Sequence, residues 1–168
     1  MDTVRSALSG RKPTGGDQAD VARANYTLEI YLQSEVEDAL PMFARTREEV
    51  DSAVDRLTAA AAGFNHNPAM HVAERPKWDD MPDHELRLDI DPEAGMAALR
   101  YFGPDDPAGQ VTLGEPSSAR LYRDIDSATE FPTNAAITLD HLRAAVHEFR
   151  ESGGRRPRCV EWQEADGW

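Results

Sequence analysis

The fold is decided by residues 85–102, which read ELRLDIDPEAGMAALRYF. Over residues 85–91, leucine and isoleucine alternate with polar side chains, which is the period of a strand with one buried face. Residues 91–95, Asp-Pro-Glu-Ala-Gly, have the composition of a turn, and residues 96–102 can return as an antiparallel partner. The stretch therefore predicts a β-hairpin.

Two amphipathic helices are predicted on either side of this hairpin. Thr46 and Glu49 have the spacing of a capping box and predict a helix over residues 47–62. Thr138 can cap a second helix over residues 139–152, which also carries a continuous apolar stripe. The core residues expected from the helices and from the last strand are Val50, Val54, Leu57, Leu139, Leu142, Val146, Phe149 and Trp162.

Shorter apolar runs predict the remaining strands. They are residues 26–32, 70–72, 110–113, 119–123 and 158–163, with a turn at 103–109. Strands and helices do not alternate regularly, so a parallel doubly wound sheet is excluded. The predicted fold class is α+β, with two main helices packed on a largely antiparallel sheet of five or six strands. Residues 1–24 lack periodicity and predict a mobile tail, and residues 25–168 predict a single domain.

Charge is distributed unevenly along the chain. The formal net charge of the 168 residues is -13, yet residues 1–25 contain four basic and three acidic side chains. The other 143 residues therefore hold 28 acidic and 14 basic side chains. Such a surface repels phosphate backbones and attracts basic proteins, so we expect no direct binding to nucleic acid. The alternative interpretation is that the acidity only keeps the protein soluble.

The sequence also indicates a compartment. No stretch approaches the ~20 consecutive apolar residues that span a membrane, and the N-terminus lacks the apolar segment of a signal peptide. A single cysteine cannot form an internal disulfide. We therefore expect a cytoplasmic protein that does not bind membranes.

Common signatures of catalysis are missing from the sequence. Gly153 and Gly154 follow a helix, whereas a phosphate-binding loop precedes one. A zinc deaminase needs at least two cysteines, and Cys159, interpreted as a buried structural residue, is the only cysteine. His141 and His147 are six residues apart and point in different directions, so they do not form a metal pair on one helix face. We expect no catalytic residue, no cofactor and no metal.

The densest charge cluster lies at residues 79–93, where seven acidic side chains are opposed only by Arg87. One interpretation is the solvated face of a hairpin, and the other is an acidic docking surface to which Trp78 would add an aromatic anchor. The expected partner-binding residues are Trp78, Asp79, Asp80 and Asp83 in a proline-bracketed loop, Arg87 and Asp89 on the outward face of the hairpin, and Asp105 and Asp106 in the next turn.

The C-terminal half resembles a known family. A strand at 96–102, a turn at 103–109 and a helix at 139–151 precede residues 153–162, which read GGRRPRCVEW. This ending, a helix followed by Gly-x-x-Pro-x-x-Val-x-Trp, is similar to that of immunity protein family 1 of bacterial polymorphic toxin systems. The resemblance covers residues 85–165. It implies a small α+β protein that binds and neutralises a cognate toxin, commonly a nucleic-acid deaminase.

The sequence leaves three functional hypotheses open. The first is a non-enzymatic immunity protein whose acidic surface covers the basic cleft of a toxin. The second is a small enzyme that uses carboxylates together with His141 or His147 as acid and base. The third is a regulatory module with another basic partner. A deep pocket with perturbed titratable groups would favour the enzyme, and a broad acidic face would favour the binding proteins.

Overall fold

A computed structural model describes residues 25–33 and 41–165, so the tail predicted at residues 1–24 lies outside the described residues. Two helices pack against a large sheet. The elements, in chain order, are β1 (Leu28–Tyr31), β2 (Met42–Ala44), α1 (Arg47–Ala60) with a 3₁₀ turn (Ala61–Gly63), β3 (Ala69–Val72), β4 (Lys77–Trp78), β5 (Met81–Pro82), β6 (Glu85–Asp91), β7 (Met96–Gly103), β8 (Asp106–Leu113), β9 (Tyr122–Asp124), β10 (Thr129–Glu130), β11 (Ile137–Thr138), α2 (Leu139–Glu151) and β12 (Glu161–Glu164).

Eight strands form one sheet, in the order β12-β8-β7-β6-β3-β1-β2, with β11 paired to β7. All of these pairs, within the described ranges, are antiparallel, which confirms the α+β class. The pairs β4–β5 and β9–β10 form two separate small sheets. The main sheet is larger than the five or six strands predicted. The two unpredicted strands, β2 and β11, have three and two residues, too few to show an alternating pattern.

The predicted central hairpin is confirmed. Strands β6 and β7 pair continuously from Glu85 opposite Phe102 to Asp91 opposite Met96. The leucines and the isoleucine of β6 are buried in the core beneath the helices. The alternating pattern therefore fixed both the strand and the face that it buries.

Other strand boundaries differ from the prediction. Strand β8 begins at Asp106, earlier than predicted, because its ladder with β7 includes a bulge between Tyr101 and Gly103 and continues into the glycine-rich segment. Strand β9 begins at Tyr122 and pairs with β10, outside the main sheet. Strand β12 begins only at Glu161. In each case the boundary depends on where the partner strand lies. A local sequence pattern carries no information about that position.

Both helices begin at the predicted caps. The Thr46 hydroxyl accepts a hydrogen bond from the Glu49 amide at 3.1 Å, and the Glu49 carboxylate accepts one from the Thr46 amide at 3.2 Å. The Thr138 hydroxyl accepts from the His141 amide at 3.2 Å. These bonds satisfy amides that have no partner within the first helical turn. Helix α1 ends at Ala60, and the last predicted residues form the 3₁₀ turn.

The apolar stripes of the helices form the core with one face of the sheet. Six of the predicted core residues are buried, namely Val50, Val54, Leu57, Leu142, Val146 and Phe149. Leu139 and Trp162 were predicted as core residues but are half-buried at its margin. Trp162 lies on β12, an edge strand, where its indole packs 6.2 Å from the Tyr101 ring and donates a 2.7 Å hydrogen bond to the Pro157 carbonyl.

The opposite face of the sheet has a smaller core of its own. Ala98 and Val111 pack there with Leu121 and Phe131 from the segment at residues 114–136. This segment contains β9 and β10 and covers the sheet near β7 and β8. The sequence pattern predicts helices on one face of the sheet and does not indicate this second layer.

The segment that follows α2 packs closely against His84, the residue before β6. Gly154 has a φ of +87°, and a Cβ atom there would lie 2.4 Å from Cδ2 of His84. The Gly154 carbonyl accepts a 3.2 Å hydrogen bond from the Tyr101 hydroxyl. His84 in turn accepts a 2.7 Å hydrogen bond at Nε2 from the Val72 amide. The segment after α2 and β3 therefore meet at the buried His84 imidazole, and β7 contacts the Gly154 backbone beside it.

This contact predicts an asymmetry between two glycine substitutions. Gly154→Ala should lower the free energy of unfolding by at least about 3 kcal/mol, because a left-handed backbone and a steric overlap with His84 act together. Gly95→Ala is the matched control, since Gly95 has a φ of +66° but no atom within 4 Å of the added Cβ. It should cost only about 1–2 kcal/mol. Urea unfolding measures both, and equal losses would contradict the role of the His84 contact.

Candidate functional site

The acidic stretch at residues 79–93 is divided among three environments in the folded chain. Asp79 and Asp80 form the turn of the small β4–β5 hairpin. Asp83 lies at the base of that hairpin, and the remaining members belong to the β6 hairpin. The predicted stretch therefore does not form one uniform surface.

The β4–β5 hairpin replaces the loop that the prolines had predicted. Its ladder ends at the pair Trp78–Met81, which leaves a two-residue turn. Asp79 and Asp80 have φ values of 49° and 61°, as the central residues of a type I′ turn do. Both residues are exposed, and neither forms an ion pair with another described residue. Two free carboxylates therefore stand at the tip.

Two apolar side chains stand beside these carboxylates. Trp78 is 82% exposed and Met81 is 68% exposed, more than any other large hydrophobic residue in the described ranges. They lie directly opposite each other in the ladder. Side chains this exposed gain little from the hydrophobic effect in the folded monomer. We name Trp78, Asp79, Asp80 and Met81 the hairpin tip.

Asp83 is held at the hairpin base and does not project as predicted. Its carboxylate accepts hydrogen bonds from Arg75 at 2.8 Å and from Nδ1 of His84 at 2.9 Å. Burial works against the charge, but these two bonds outweigh it and hold the pKa of Asp83 below its ordinary value. Burial lowers the pKa of His84, against the effect of Asp83, in keeping with a neutral ring that donates at Nδ1 and accepts at Nε2.

Arg87 and Asp89 lie on the sheet face opposite the helices, but neither projects freely. Arg87 is half-buried, with Nε 2.9 Å from the Glu85 carboxylate. Asp89 is only 5% exposed, and its carboxylate accepts hydrogen bonds from the amides of Ile90 and Tyr122 at 2.9 and 2.8 Å. The outward projection predicted for Asp89 is wrong because β9 covers this part of the sheet.

The burial of Asp89 changes its titration. Desolvation raises the pKa of this carboxyl to about 6, although the two amide hydrogen bonds oppose the shift. The group therefore remains charged at neutral pH at a cost in folding free energy. The Asp89 carboxylate has a structural role, because its hydrogen bond with the Tyr122 amide joins β6 to β9.

Of the two predicted turn acids, Asp105 lies in the turn between β7 and β8, and Asp106 is the first residue of β8. Asp105 is exposed, whereas Asp106 is half-buried and accepts a 2.9 Å hydrogen bond from Arg156. Because β6 begins where β7 ends and β8 begins, this turn and the hairpin base lie at the same end of the sheet. The fold thus brings the two predicted acidic segments to one end.

The residues weighed for catalysis do not converge. His141 is exposed, and His147 is buried against α1, where its Nε2 lies 2.8 Å from the Asp51 carboxylate. Cys159 is exposed, which corrects the prediction of a buried residue. Desolvation and the Glu148 carboxylate raise the pKa of its thiol to about 12, so a thiolate does not form at neutral pH. No group of three metal-binding side chains occurs within the described ranges.

A polar pocket opens on the sheet face opposite the helices. Its volume is ≈ 380 Å³, and its lining residues are Tyr31, Gln33, His66, Asn67, Arg87, Asp124 and Asp126. Several of its polar side chains are engaged within the fold: Asn67 bonds to three backbone groups, and His66 pairs with Asp126. The perturbed carboxyl of Asp89 and the histidines of α2 are not part of its lining.

Sequence reasoning missed Met81 as a member of the exposed site. The signal was present, because Asp79-Asp80 can form a primed two-residue turn between short strands. Pro76 and Pro82 obscured it, since prolines usually indicate a loop. Tyr31 and Phe43, exposed by 42% and 50%, were also missed.

Asp89 yields a prediction with a defined sign. Its folded pKa of about 6 exceeds its ordinary value of 3.8, so the folded state binds the proton first as the pH falls. This group should therefore add about 2 kcal/mol to stability between pH 7 and pH 4. Asp89→Asn removes that gain, and its stability relative to the unsubstituted protein should fall on acidification, as measured by urea unfolding at several pH values.

Asp91→Asn is the control of opposite sign. Hydrogen bonds from the amides of Arg120 and Ala94 lower the pKa of Asp91, so its contribution to stability is lost as the pH falls. The variant should therefore gain stability relative to the unsubstituted protein on acidification. The same trend for both variants would contradict the assignment of Asp89.

The chain matches the model of a known protein family. Neither helix in the described ranges is long and apolar enough to cross a membrane. No curated protein matches the chain. The model of the family described as immunity protein Imm1 matches residues 38–164, so the similarity extends beyond the C-terminal half to β2 and α1. The chain therefore belongs to the Imm1 family of immunity proteins, which act against toxins.

Proposed function

We propose that this Imm1 protein neutralises a toxin that acts on nucleic acid, a deaminase or another nucleic-acid-processing enzyme, by covering its basic cleft with an acidic surface. The protein acts in the cytoplasm and without catalysis. Binding alone is sufficient for inhibition, because an occupied cleft cannot admit its substrate.

The observation that carries the proposal is the charge balance. Outside residues 1–25, acidic side chains outnumber basic ones by 28 to 14. Enzymes that act on nucleic acid bind phosphates with lysine and arginine. An acidic protein is attracted to the same groups and can occupy their cleft, and complementary charge also speeds encounter.

The hairpin tip is the part of this surface best placed for such contacts. Asp79 and Asp80 have no cationic partner among the described residues, whereas Asp83 and Asp106 are paired with arginines. Asp105 is exposed at the same end of the sheet. We therefore place the contact surface on the hairpin tip and Asp105, and we leave out Asp83, Asp89 and Asp106 because they are engaged in the fold.

The first test is protection of growth. Expression of the toxin encoded immediately upstream should arrest growth, and co-expression of this protein should restore it. A toxin variant without catalytic activity and an unrelated acidic protein serve as controls. Failure to restore growth, with the protein soluble and abundant, would contradict the proposed function.

The second test concerns electrostatic steering by the hairpin tip. Asp79→Asn/Asp80→Asn should keep the fold, because asparagine tolerates a left-handed backbone well. The association rate with the toxin should fall about 5- to 10-fold at low salt, and its salt dependence should weaken. Stopped-flow measurements over a salt titration give both quantities.

The matched control makes the same change in charge elsewhere. Glu115 and Glu130 are exposed on the segment that covers the other sheet face. Glu115→Gln/Glu130→Gln should leave the association rate nearly unchanged. If this control slows association as much as the double substitution at the tip, the acidic contact surface is not the hairpin tip.

A further inference from the structure

The hairpin tip combines charge with an apolar pair that the fold does not use. Trp78 and Met81 face each other across the last pair of the β4–β5 ladder and are exposed by 82% and 68%. The Trp78 indole makes no hydrogen bond or ring contact with another described residue. Attraction to a basic partner would explain the two aspartates of the turn. It does not explain why the apolar side chains of Trp78 and Met81 are exposed beside those aspartates.

The base of the hairpin is fixed firmly to the folded core. Arg75 bonds to Asp83 at 2.8 Å and donates to the carbonyls of Gly153 and Gly154 at 3.4 Å. On the other side, Nζ of Lys77 lies 3.9 Å from the Glu29 carboxylate on β1. A two-stranded hairpin by itself is marginally stable in water, so these contacts hold the tip in place. A tip that is already ordered loses little conformational entropy on binding.

The chemistry of the tip defines the surface that it fits. Tryptophan buries roughly 150–250 Å² on complete burial and is one of the residues enriched at energetic centres of interfaces. Methionine is unbranched and adapts its shape to an irregular recess. Asp79 and Asp80 form the turn next to this apolar pair, so basic groups at the border of the recess complement their carboxylates.

We infer that Trp78 and Met81 anchor the complex by entering an apolar recess of the toxin, and that Asp79 and Asp80 meet basic groups at the rim of that recess. This inference rests on the proposed function and specifies the toxin surface: an apolar slot bordered by lysine or arginine. The aspartates act mainly on association, and the apolar pair acts mainly on dissociation.

The test uses the full-length protein and the purified, catalytically inactive toxin domain encoded immediately upstream, with binding kinetics measured by surface plasmon resonance. Trp78→Ala should raise Kd about 30-fold or more through faster dissociation, with less than about a 3-fold change in association. Met81→Ala should act in the same direction with a smaller effect. Trp78→Phe should restore much of the affinity, because it keeps an aromatic ring in the recess.

Salt separates the anchor from the charges. The loss caused by Trp78→Ala should persist at about 0.5 M salt, whereas the loss caused by Asp79→Asn/Asp80→Asn should largely disappear. Phe43→Ala is the matched control, since Phe43 is 50% exposed on β2, outside the hairpin tip. It should change Kd less than about 3-fold.

The outcomes separate the two proposals. If the unsubstituted protein does not bind the toxin, the proposed function fails. If it binds, and Trp78→Ala dissociates at an unchanged rate or Phe43→Ala weakens binding equally, the anchor is wrong while the function stands. Circular dichroism and thermal unfolding should show all variants folded, because the substituted side chains are exposed.

Discussion

The contact between the Gly154 backbone and the buried His84 ring is the constraint on which the rest of the structure depends. Only a residue without a Cβ fits at Gly154, and this allows the end of α2 to reach the sheet. His84 also accepts a hydrogen bond from the Val72 amide of β3, beyond Met70, where the ladder between β3 and β6 ends. The His84 ring therefore accepts the hydrogen bond that a neighbouring strand would otherwise accept from Val72, and it also packs against Phe149 of α2.

A closed set of polar contacts extends from this point and supports the site. His84 donates to Asp83, Asp83 accepts from Arg75, and Arg75 donates back to the carbonyls beside Gly154. The β4–β5 hairpin leaves the fold between Arg75 and Asp83. The acidic residues of this region are thus of two kinds: Asp83 is paired with Arg75 within the scaffold, whereas the carboxylates of the hairpin tip form no ion pair with another described residue.

The sheet face opposite the helices has one covered part and one open part. The segment at residues 114–136 covers it near β7 and β8, where the Asp89 carboxylate holds the Tyr122 amide. Toward β1 and β2 this face stays more open, and Tyr31 and Phe43 are exposed there. The net charge of the chain does not reveal this division, because a charge count treats the buried Asp89 and the exposed Asp79 alike.

The sequence by itself determined the elements whose signals are local. The alternation over residues 85–91 gave the central hairpin, Thr46 and Thr138 gave the starts of both helices, and the ending at residues 153–162 gave the family. Tertiary structure alone decided which acidic side chains are free. Asp83 is neutralised by Arg75, which also bonds to the distant Gly153 carbonyl. Asp89 is buried by β9, which lies more than 30 residues further along the chain. Burial and charge pairing depend on neighbours in space, and periodicity describes only neighbours in sequence.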